Sequence, residues 1–274
     1  MDRTNFIKTE LNKHHSEALT LGHNVWVTVI QGSQNYNLDI YTEDYRSDID
    51  TKCIIIPSLD QIIRNEEPVS HTHIRSNDEH IDLKDIRLMF SCFKKQNVNF
   101  VEVLFSDFYE VVDDKFLKSK WEDMRAIAEE IVHAHPAQTV KTMSGLSMEK
   151  FKALKHPYPT IKWKIDKWGY DGKQLHHIIR INDFLKRYID GESFKSCLTP
   201  SPTVFEMLMK AKMNEFSLEE AEIIAKTLDD DNKWLKESFI QLNGDKVINQ
   251  AIYDKIEDIK AEVIKYSFLK ELKI

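Results

Sequence analysis

The chain has 274 residues, of which 38 are lysine or arginine and 45 are aspartate or glutamate, so its formal net charge is −7. This length suggests two domains or one large one, and 42% hydrophobic with 30% charged residues excludes collagen, coiled-coil fibres and long disorder. No apolar run approaches the ~20 residues that span a bilayer, and no secretory signal is visible. The 3 cysteines are scattered without a CxxC pair, which suits a reducing compartment. We therefore expect a cytoplasmic protein with no membrane partner.

The first half of the chain is predicted to mix helices with short strands. Runs of β-branched and aromatic residues mark strands, and apolar residues at i, i+3, i+4 and i+7 mark amphipathic helices. These patterns predict helices over 4–21 and 84–96 and strands over 25–30, 51–56, 72–75 and 80–83. Gly32 and Ser33 follow the first strand, and Ser33 is predicted to cap a short helix over 33–38. For the apolar segment 99–105 the sequence does not decide between helix and strand.

The second half of the chain is predicted to be helical. Helices are predicted over 121–133, 147–155, 173–189, 217–228 and 246–272. Ser217-Leu-Glu-Glu220 forms a capping box, in which Ser and Glu each satisfy a free backbone N–H at a helix start. The sequence therefore predicts an α+β fold, with an α/β domain over 1–118 and an all-helical domain over 119–274.

Two aspartates stand immediately before the second long strand. Asp48 and Asp50 are two residues apart, so on an extended chain their side chains point to the same side. Two carboxylates at one place repel each other unless a cation lies between them, and oxygen ligands of this kind suit Mg²⁺. Acid-x-acid triplets are common in a chain this acidic, so the surrounding residues must decide whether this pair has a function.

The surrounding residues favour a phosphate site. Gly32 and Ser33 end a strand at a helix start, where a glycine lets a phosphate approach and free N–H groups face the anion. Asp82 lies on a later strand of alternating polarity. Three carboxylates can hold two Mg²⁺ ions, one on a triphosphate and one on an attacking hydroxyl.

At these residues the chain resembles the DNA polymerase β-like nucleotidyltransferase superfamily. More narrowly, it resembles the branch of predicted nucleotidyltransferases found in bacteria and phages. That branch carries a Gly-Ser turn, an Asp-x-Asp strand, a third acid, an Asn-to-Phe run and a later basic helix. The matching segments are Gly32-Ser-Gln-Asn-Tyr36, Ser47-Asp-Ile-Asp50, the strand of Asp82, Asn99-Phe-Val-Glu-Val-Leu-Phe105, Tyr170-Asp-Gly-Lys173-Gln-Leu-His-His177-Ile-Ile-Arg180 and Phe216-Ser-Leu-Glu-Glu220. The resemblance covers most of residues 25–228.

The resemblance implies a polymerase β-like catalytic core and an enzyme that transfers a nucleoside monophosphate from an NTP such as ATP to a hydroxyl, releasing pyrophosphate. It implies a two-ion Mg²⁺ site, with Mn²⁺ as an alternative ion, and gives Asp82 a part in deprotonating the acceptor. The catalytic and metal-binding residues would be Asp48, Asp50 and Asp82, and the nucleotide-binding residues would be Gly32, Ser33, Tyr36, Lys173, His177 and Arg180.

Two features depart from the family pattern. Asn37 stands where the branch usually has glycine, and asparagine tolerates positive φ, so we expect the turn to survive. The stretch between Ser33 and Asp48 is longer than usual, and we expect its extra acids to alter the mouth of the pocket. Those acids are Asp39, Glu43 and Asp44.

The net charge of −7 hides a basic segment. Residues 138–195 hold 12 basic and 6 acidic side chains, whereas both flanking segments are acidic. Lys173, His177 and Arg180 fall at i, i+4 and i+7 on one face of a predicted helix in this segment. They either bind a triphosphate or an acceptor phosphate in a cleft, or form a solvated face with a packed histidine; the resemblance favours the first reading.

Aromatic residues interleave with lysines in the same basic segment. Tyr158, Trp163, Trp168 and Tyr170 alternate with Lys162, Lys164 and Lys167. This mixture suits stacking on bases and neutralisation of phosphates, and it equally suits a helical core with amphipathic lysines.

Three hypotheses about function stay open on the sequence. The first is a nucleotidyltransferase that acts on a nucleic-acid end such as RNA or tRNA. The second is the same chemistry on a protein hydroxyl, which would nucleotidylate a partner. The third is a non-catalytic module that binds nucleotide or nucleic acid, in which the carboxylates would be dispensable.

Overall fold

The computed structural model describes residues 2–42 and 46–273, and these residues form one five-stranded sheet together with many helices. The strands are β1 (Asn24–Gln31), β2 (Asp50–Ile56), β3 (Ser70–Ile74), β4 (His80–Asp85) and β5 (Tyr109–Val111). Their order in the sheet is β3-β4-β2-β1-β5. β1 runs antiparallel to both β2 and β5, β3 runs antiparallel to β4, and β2 runs parallel to β4. The sheet is therefore mixed.

Helices pack on both faces of this sheet. Those of the first 134 residues are α1 (Arg3–Thr20), α2 (Leu59–Ile63), α3 (Ile86–Lys94), α4 (Val98–Val101), α5 (Lys115–Ala126) and α6 (Ala128–His133). Ala18 of α1 lies in a buried cluster with Val25, Cys53 and Leu83 on one face. On the other face the Trp26 ring contacts Phe90 of α3 at 6.2 Å and Trp121 of α5 at 5.7 Å between centroids.

The middle of the chain forms a separate compact unit, residues 135–247, which consists of helices. These are α7 (Pro136–Ala153), α8 (Lys162–Trp168), α9 (Gly172–Ile189), α10 (Phe194–Leu198), α11 (Pro202–Lys212) and α12 (Leu218–Asn243). α7, α9 and α12 pack on one another, and α10 and α11 pack on α9. A buried polar network joins α7, α9 and α12: Asn182 donates to Asn232, which donates to Ser147, which donates to Asp229.

The last helix, α13 (Gln250–Glu271), belongs to the unit that contains the sheet. It packs on α3, α5 and α6. Tyr253 donates to the Lys94 carbonyl at 3.0 Å, and Tyr266 donates to Asp114 at 2.9 Å. The two compact units, 1–134 with 248–274 and 135–247, thus differ from the predicted ranges 1–118 and 119–274. The reason is that Trp121 and α13 complete the core against the sheet.

The predicted α+β fold with a helical C-terminal part is confirmed. The strands over 25–30, 51–56, 72–75 and 80–83 and the helices over 4–21, 84–96 and 173–189 are present with small boundary shifts. The open segment 99–105 is helical, as α4 followed by a 3₁₀ turn. Among the described residues, no helix is both long and apolar enough to cross a membrane.

Candidate functional site

The register of β1 and β2 brings the glycine-serine turn and the paired aspartates to one end of the sheet. Gln31, the last residue of β1, pairs with Asp50, the first residue of β2. Gly32 directly follows Gln31, and Asp48 stands two residues before Asp50, so both lie at the same end of these paired strands. The glycine-serine turn and the aspartates thus lie at the same end of the β1–β2 pair, and their common role in a site stays a prediction.

The turn after β1 has a backbone that only glycine adopts readily. Gly32 has φ 89° and ψ −148°, and a Cβ built on it would meet no atom within 4 Å. A single 3₁₀ turn, Ser33–Tyr36, follows, and Asn37 ends it in the left-handed conformation at φ 57°. The expectation that Asn37 preserves the turn is borne out. The expectation that Ser33 caps a helix is wrong, because Gly32 takes the cap position and Asn37 ends the helix after one turn.

Two amide side chains fix this turn to its surroundings. Gln34 Nε2 donates to the Asp48 carbonyl at 2.7 Å and to the Tyr41 hydroxyl at 3.1 Å. Asn35 Nδ2 donates to the Ile30 carbonyl at 2.8 Å, and Asn35 Oδ1 accepts from Ser106 Oγ at 2.7 Å. The Gln34 bond ties the turn directly to the backbone of the first aspartate.

Tyr36, which the resemblance assigns to nucleotide binding, is buried in the protein with only 5% of its surface exposed. Its ring therefore contributes to the packing beneath the turn. Nucleotide binding by Tyr36 stays a prediction.

The two aspartates before and at the start of β2 differ in their surroundings. Asp48 is exposed, and among the described residues no side chain bonds to its carboxylate. Asp50 is 33% exposed, and its Oδ1 accepts from the His80 backbone N–H at 2.9 Å and lies 3.0 Å from His80 Nδ1. His80 begins β4, so the parallel strand orients the second carboxylate.

The third acid is paired with lysines. Asp82 lies opposite Lys52 in the β2–β4 register, and Lys52 Nζ donates to its Oδ2 at 2.9 Å. Lys84 Nζ is 3.4 Å from Asp82 Oδ1. Lys52 is 5% exposed and lies 4.3 Å from the centre of the Phe100 ring, so its ammonium group has little choice of position. The ammonium groups of Lys52 and Lys84 thus neutralise the charge of the Asp82 carboxylate, which the sequence predicted to be neutralised by a metal ion.

The donor set fits one divalent cation better than two. Asp48 and Asp50 supply exposed oxygen ligands, and Mg²⁺ is commonly bound by one or two carboxylates together with phosphates and water. Asp82 does not fit as a third ligand in this arrangement because ammonium groups contact its oxygens. In residues 2–42 and 46–273, no three His, Cys, Asp or Glu side chains are grouped to hold a metal.

Asp39, one of the extra acids expected at the mouth of the pocket, bonds to an arginine of α1. Asp39 accepts from Arg3 Nε at 2.7 Å and from Arg3 Nη2 at 2.6 Å, and the same Nη2 donates to the Gln34 carbonyl at 2.8 Å. The hydrogen bond to Asp39 raises the pKa of Arg3. Asp39 therefore secures the turn to α1. Glu43 and Asp44 lie outside the described residues.

The three predicted basic-helix residues lie on α9, in the unit of residues 135–247. Lys173 is exposed, His177 is partly buried and Arg180 is buried. Burial, together with the charge of Arg180, lowers the pKa of His177 well below its ordinary value. Its imidazole is therefore neutral at physiological pH and offers a hydrogen bond, while the charge on this face comes from Lys173 and Arg180.

The residues before Lys173 in the same motif have a structural role. Tyr170 is buried and donates to the Phe216 carbonyl at 2.9 Å. Asp171 caps α9 by accepting from the Lys173 N–H at 3.2 Å. A Cβ on Gly172 would lie 2.1 Å from the Ala211 carbonyl oxygen, so only glycine fits there. This part of the motif fixes the start of α9 against α11.

Four residues of the site were not singled out from the sequence: Gln34, Asn35, Lys52 and His80. Gln34 and Asn35 are the two variable positions of the Gly-Ser-x-x-Tyr pattern, and their polar types inside a short turn were the available signal. Lys52 and His80 could be found only through the parallel register of β2 and β4, which a single sequence does not specify.

No protein-family model and no curated protein matches the chain. Among solved structures, the chain is similar to a nucleotidyltransferase-like protein from Exiguobacterium sibiricum 255-15. The TM-score is 0.36 and 10% of residues are identical, over 85% of this chain and 78% of that one. A likeness of this size establishes neither a family nor an activity.

Proposed function

We propose that the chain is a nucleotidyltransferase, which transfers a nucleoside monophosphate from an NTP to a hydroxyl group. The observation that supports the proposal most is the pairing of Gln31 with Asp50, because the open turn at Gly32 follows Gln31 directly and Gln34 of that turn bonds to the Asp48 carbonyl. A triphosphate needs a backbone that it can approach and a place for its counter-ion, and the two halves of this site supply these.

In the proposed reaction, the acceptor hydroxyl oxygen forms a bond to the α-phosphorus, and the bond from that phosphorus to the leaving pyrophosphate breaks. The hydroxyl proton passes to a carboxylate of the site or to water. Such a transfer depends on position and on charge more than on a protein nucleophile. We propose that Gly32 and Ser33 bind the β- and γ-phosphates. The hydrogen bond from Gln34 to the Asp48 carbonyl connects this turn to the segment that carries the carboxylates.

Asp48 and Asp50 are the proposed ligands of a single Mg²⁺ or Mn²⁺ ion. Bound there, the ion would neutralise phosphate charge and make the α-phosphorus more electrophilic. A two-ion site with Asp82 stays a prediction, and it requires the Lys52 ammonium group to move away from the Asp82 carboxylate so that a metal ion can bind there. Lys173, Arg180 and the neutral His177 stay proposed nucleotide-binding residues on α9.

Nucleotide binding tests this site without knowledge of the acceptor. We would titrate an NTP analogue that cannot be cleaved between the α- and β-phosphates, with Mg²⁺, by calorimetry. Asp48→Asn should weaken binding at least tenfold, and EDTA should do the same to the unaltered protein. Asp60→Asn is the matched control, because Asp60 is an exposed aspartate beyond the opposite end of β2. Equal binding by both variants would contradict the site.

A second candidate is a non-catalytic nucleotide-binding module, which the pairing of Asp82 with Lys52 favours. The two candidates differ in turnover. With an α-labelled NTP and a cell extract, an enzyme moves label into RNA ends or into a protein, whereas a module binds NTP and leaves the label in it. The product also separates a nucleic-acid acceptor from a protein acceptor.

A further inference from the structure

Residues 156–168 expose aromatic rings that the proposed reaction does not use. α8 contains two tryptophans and three lysines in seven residues, and none of its residues is buried. Trp163 is 57% exposed and Tyr158, one turn before the helix, is 49% exposed. Large aromatic side chains exposed next to each other on a folded unit usually mark a binding surface. We call Tyr158, Trp163, Trp168, Lys162, Lys164 and Lys167 the aromatic–lysine surface.

The rings of this surface contact neighbouring side chains. The Trp163 and Trp168 centroids are 5.6 Å apart at 57°, and Lys167 Nζ lies 4.3 Å above the Trp168 ring. Tyr158 contacts His156 at 4.2 Å between ring centroids, and its carbonyl accepts from the Ile161 N–H at 3.0 Å. Each ring of the surface thus has a contact on one side, and contacts made before binding reduce the entropy that a ligand must remove.

Both ends of the segment are anchored to the helical unit. The Asp171 N–H donates to the Leu154 carbonyl at 2.8 Å, which closes the segment into a loop between α7 and α9. Lys164 pairs with Asp171 at 3.2 Å. Gly169 ends α8 at φ 80°, and a Cβ there would lie 2.9 Å from a Leu218 methyl group. The exposed rings thus stand on a fixed support.

The charge of the segment indicates the kind of ligand. Residues 155–168 contain four lysines and one aspartate in a chain of net charge −7. Three of these lysines have acidic partners: Lys162 pairs with Asp166 at 2.6 Å, Lys164 with Asp171 at 3.2 Å, and Lys155 with Glu222. Among the described residues no acidic side chain pairs with Lys167, so its ammonium group, which lies over the Trp168 ring, is the positive charge most available to a ligand. A polyanion that carries flat rings matches both properties of the surface, since phosphates pair with lysines and bases stack on aromatic side chains.

The distribution of residues around α8 disfavours a membrane surface as the occupant. An interfacial helix separates an apolar face from a charged one. In α8 the lysines and tryptophans interleave around the axis, because Lys167 follows Trp163 at i+4 and Trp168 follows Lys164 at i+4. Each exposed ring therefore has a charged side chain beside it.

We propose that the aromatic–lysine surface binds a short single strand of nucleic acid, with bases stacked on Tyr158 and Trp163 and phosphates near Lys162 and Lys167. The binding requires no NTP and no metal, so it stands apart from the proposed transfer reaction. A stacked base contributes about 1–3 kcal/mol in such sites.

The test is fluorescence anisotropy of labelled 12-nucleotide single strands of DNA and RNA, with the full chain and without NTP. We expect binding at 50 mM salt, and we expect Trp163→Ala to weaken it at least tenfold. Trp234→Ala is the matched control, since Trp234 is a 63% exposed tryptophan on α12 of the same unit and should leave the affinity unchanged. Lys167→Gln should lower the slope of log K against log salt by about 0.7.

Several results would overturn the proposal. Equal affinities of Trp163→Ala and Trp234→Ala, equal affinity for a duplex of the same length, or no binding of single strands at 50 mM salt would each do so. Binding of phosphatidylserine vesicles in place of the strands would point to a membrane surface. Circular dichroism of both tryptophan variants checks that the helical fold is retained, and Tyr158→Ala repeats the test at an independent exposed ring.

Discussion

At the scale of single residues, Gly32 decides whether a phosphate can reach the backbone. Its φ of 89° lies where a side chain is strained, and the space around its Cα is open. Gly22 has a φ of 77° and the same open surroundings, yet it precedes β1 at the end away from the carboxylates. Gly22 therefore serves as a control for Gly32: a substitution at either position strains the backbone, but only one at Gly32 lies in the proposed phosphate site.

We expect both Gly32→Ala and Gly22→Ala to reduce the free energy of unfolding, because both place a Cβ at positive φ, and we expect a cost of about 1–3 kcal/mol at Gly32, whose backbone lies in a region that is almost confined to glycine. Only Gly32→Ala should also weaken NTP binding, by tenfold or more, because its methyl group enters the space proposed for the phosphates. Urea unfolding and calorimetry measure the two effects. A Gly32→Ala protein that binds NTP as well as Gly22→Ala would remove the turn from the site.

At the scale of elements, the parallel pair β2 and β4 determines what the third acid does. Lys52 and Asp82 are opposite each other, and both are largely shielded from water. Removing one member of such a pair leaves the other charge poorly solvated, which is costly, whereas removing both is much less so.

We expect Lys52→Met to lower the free energy of unfolding by about 2–3 kcal/mol, and the double variant Lys52→Met with Asp82→Asn to recover part of that loss. The same cycle on the exposed pair Arg64 and Asp60 is the control and should show a coupling of at most about 0.5 kcal/mol. No coupling between Lys52 and Asp82 would show that the ion pair is absent in solution.

The elements also show what a single sequence can specify. β1 and β2 were predicted to within about one residue because their β-branched runs end at Gly32 and Pro57. β5 was missed because three residues carry too little pattern. The capping box at Ser217 is confirmed, but α12 continues to Asn243, since no helix-breaking residue follows the predicted end.

The candidate site was predictable to the same extent and for the same reason. Short-range spacing was enough to predict that the Gly32 turn and the aspartates lie at one end of β1 and β2, because the two strands pair antiparallel and Gln31 is opposite Asp50. The partner of Asp82 depends on register between strands 30 residues apart, and register is set by the packing of the whole sheet.

At the scale of the whole molecule, residues 135–247 are an insertion in the unit that contains the sheet. The Ala134 carbonyl accepts from the Ile248 N–H at 2.8 Å, so the chain leaves and re-enters that unit at one place. The charges divide with the units: the sheet-containing unit has 20 basic and 29 acidic side chains, and the inserted unit has 18 and 16.

This arrangement predicts which fragments fold. A chain in which a short Gly-Ser linker replaces residues 135–247 should unfold cooperatively on heating, because it keeps α5, α6 and α13 on the sheet. A fragment of residues 1–118 should show no cooperative unfolding transition, because in it Trp26 lacks its contact with Trp121 and α3 lacks its packing against α13. Thermal circular dichroism decides between them, and a cooperative 1–118 fragment would contradict the division.

The measurement that tests the proposed function most directly is the rate of label transfer from an α-labelled NTP into acid-insoluble product in a cell extract with Mg²⁺. We predict transfer by the unaltered protein and by Asp60→Asn at similar rates, and a loss of about 100-fold or more with Asp48→Asn. Transfer by Asp48→Asn at the rate of Asp60→Asn, or no transfer by the unaltered protein with any of the four NTPs, would contradict the assignment of this chain as a nucleotidyltransferase.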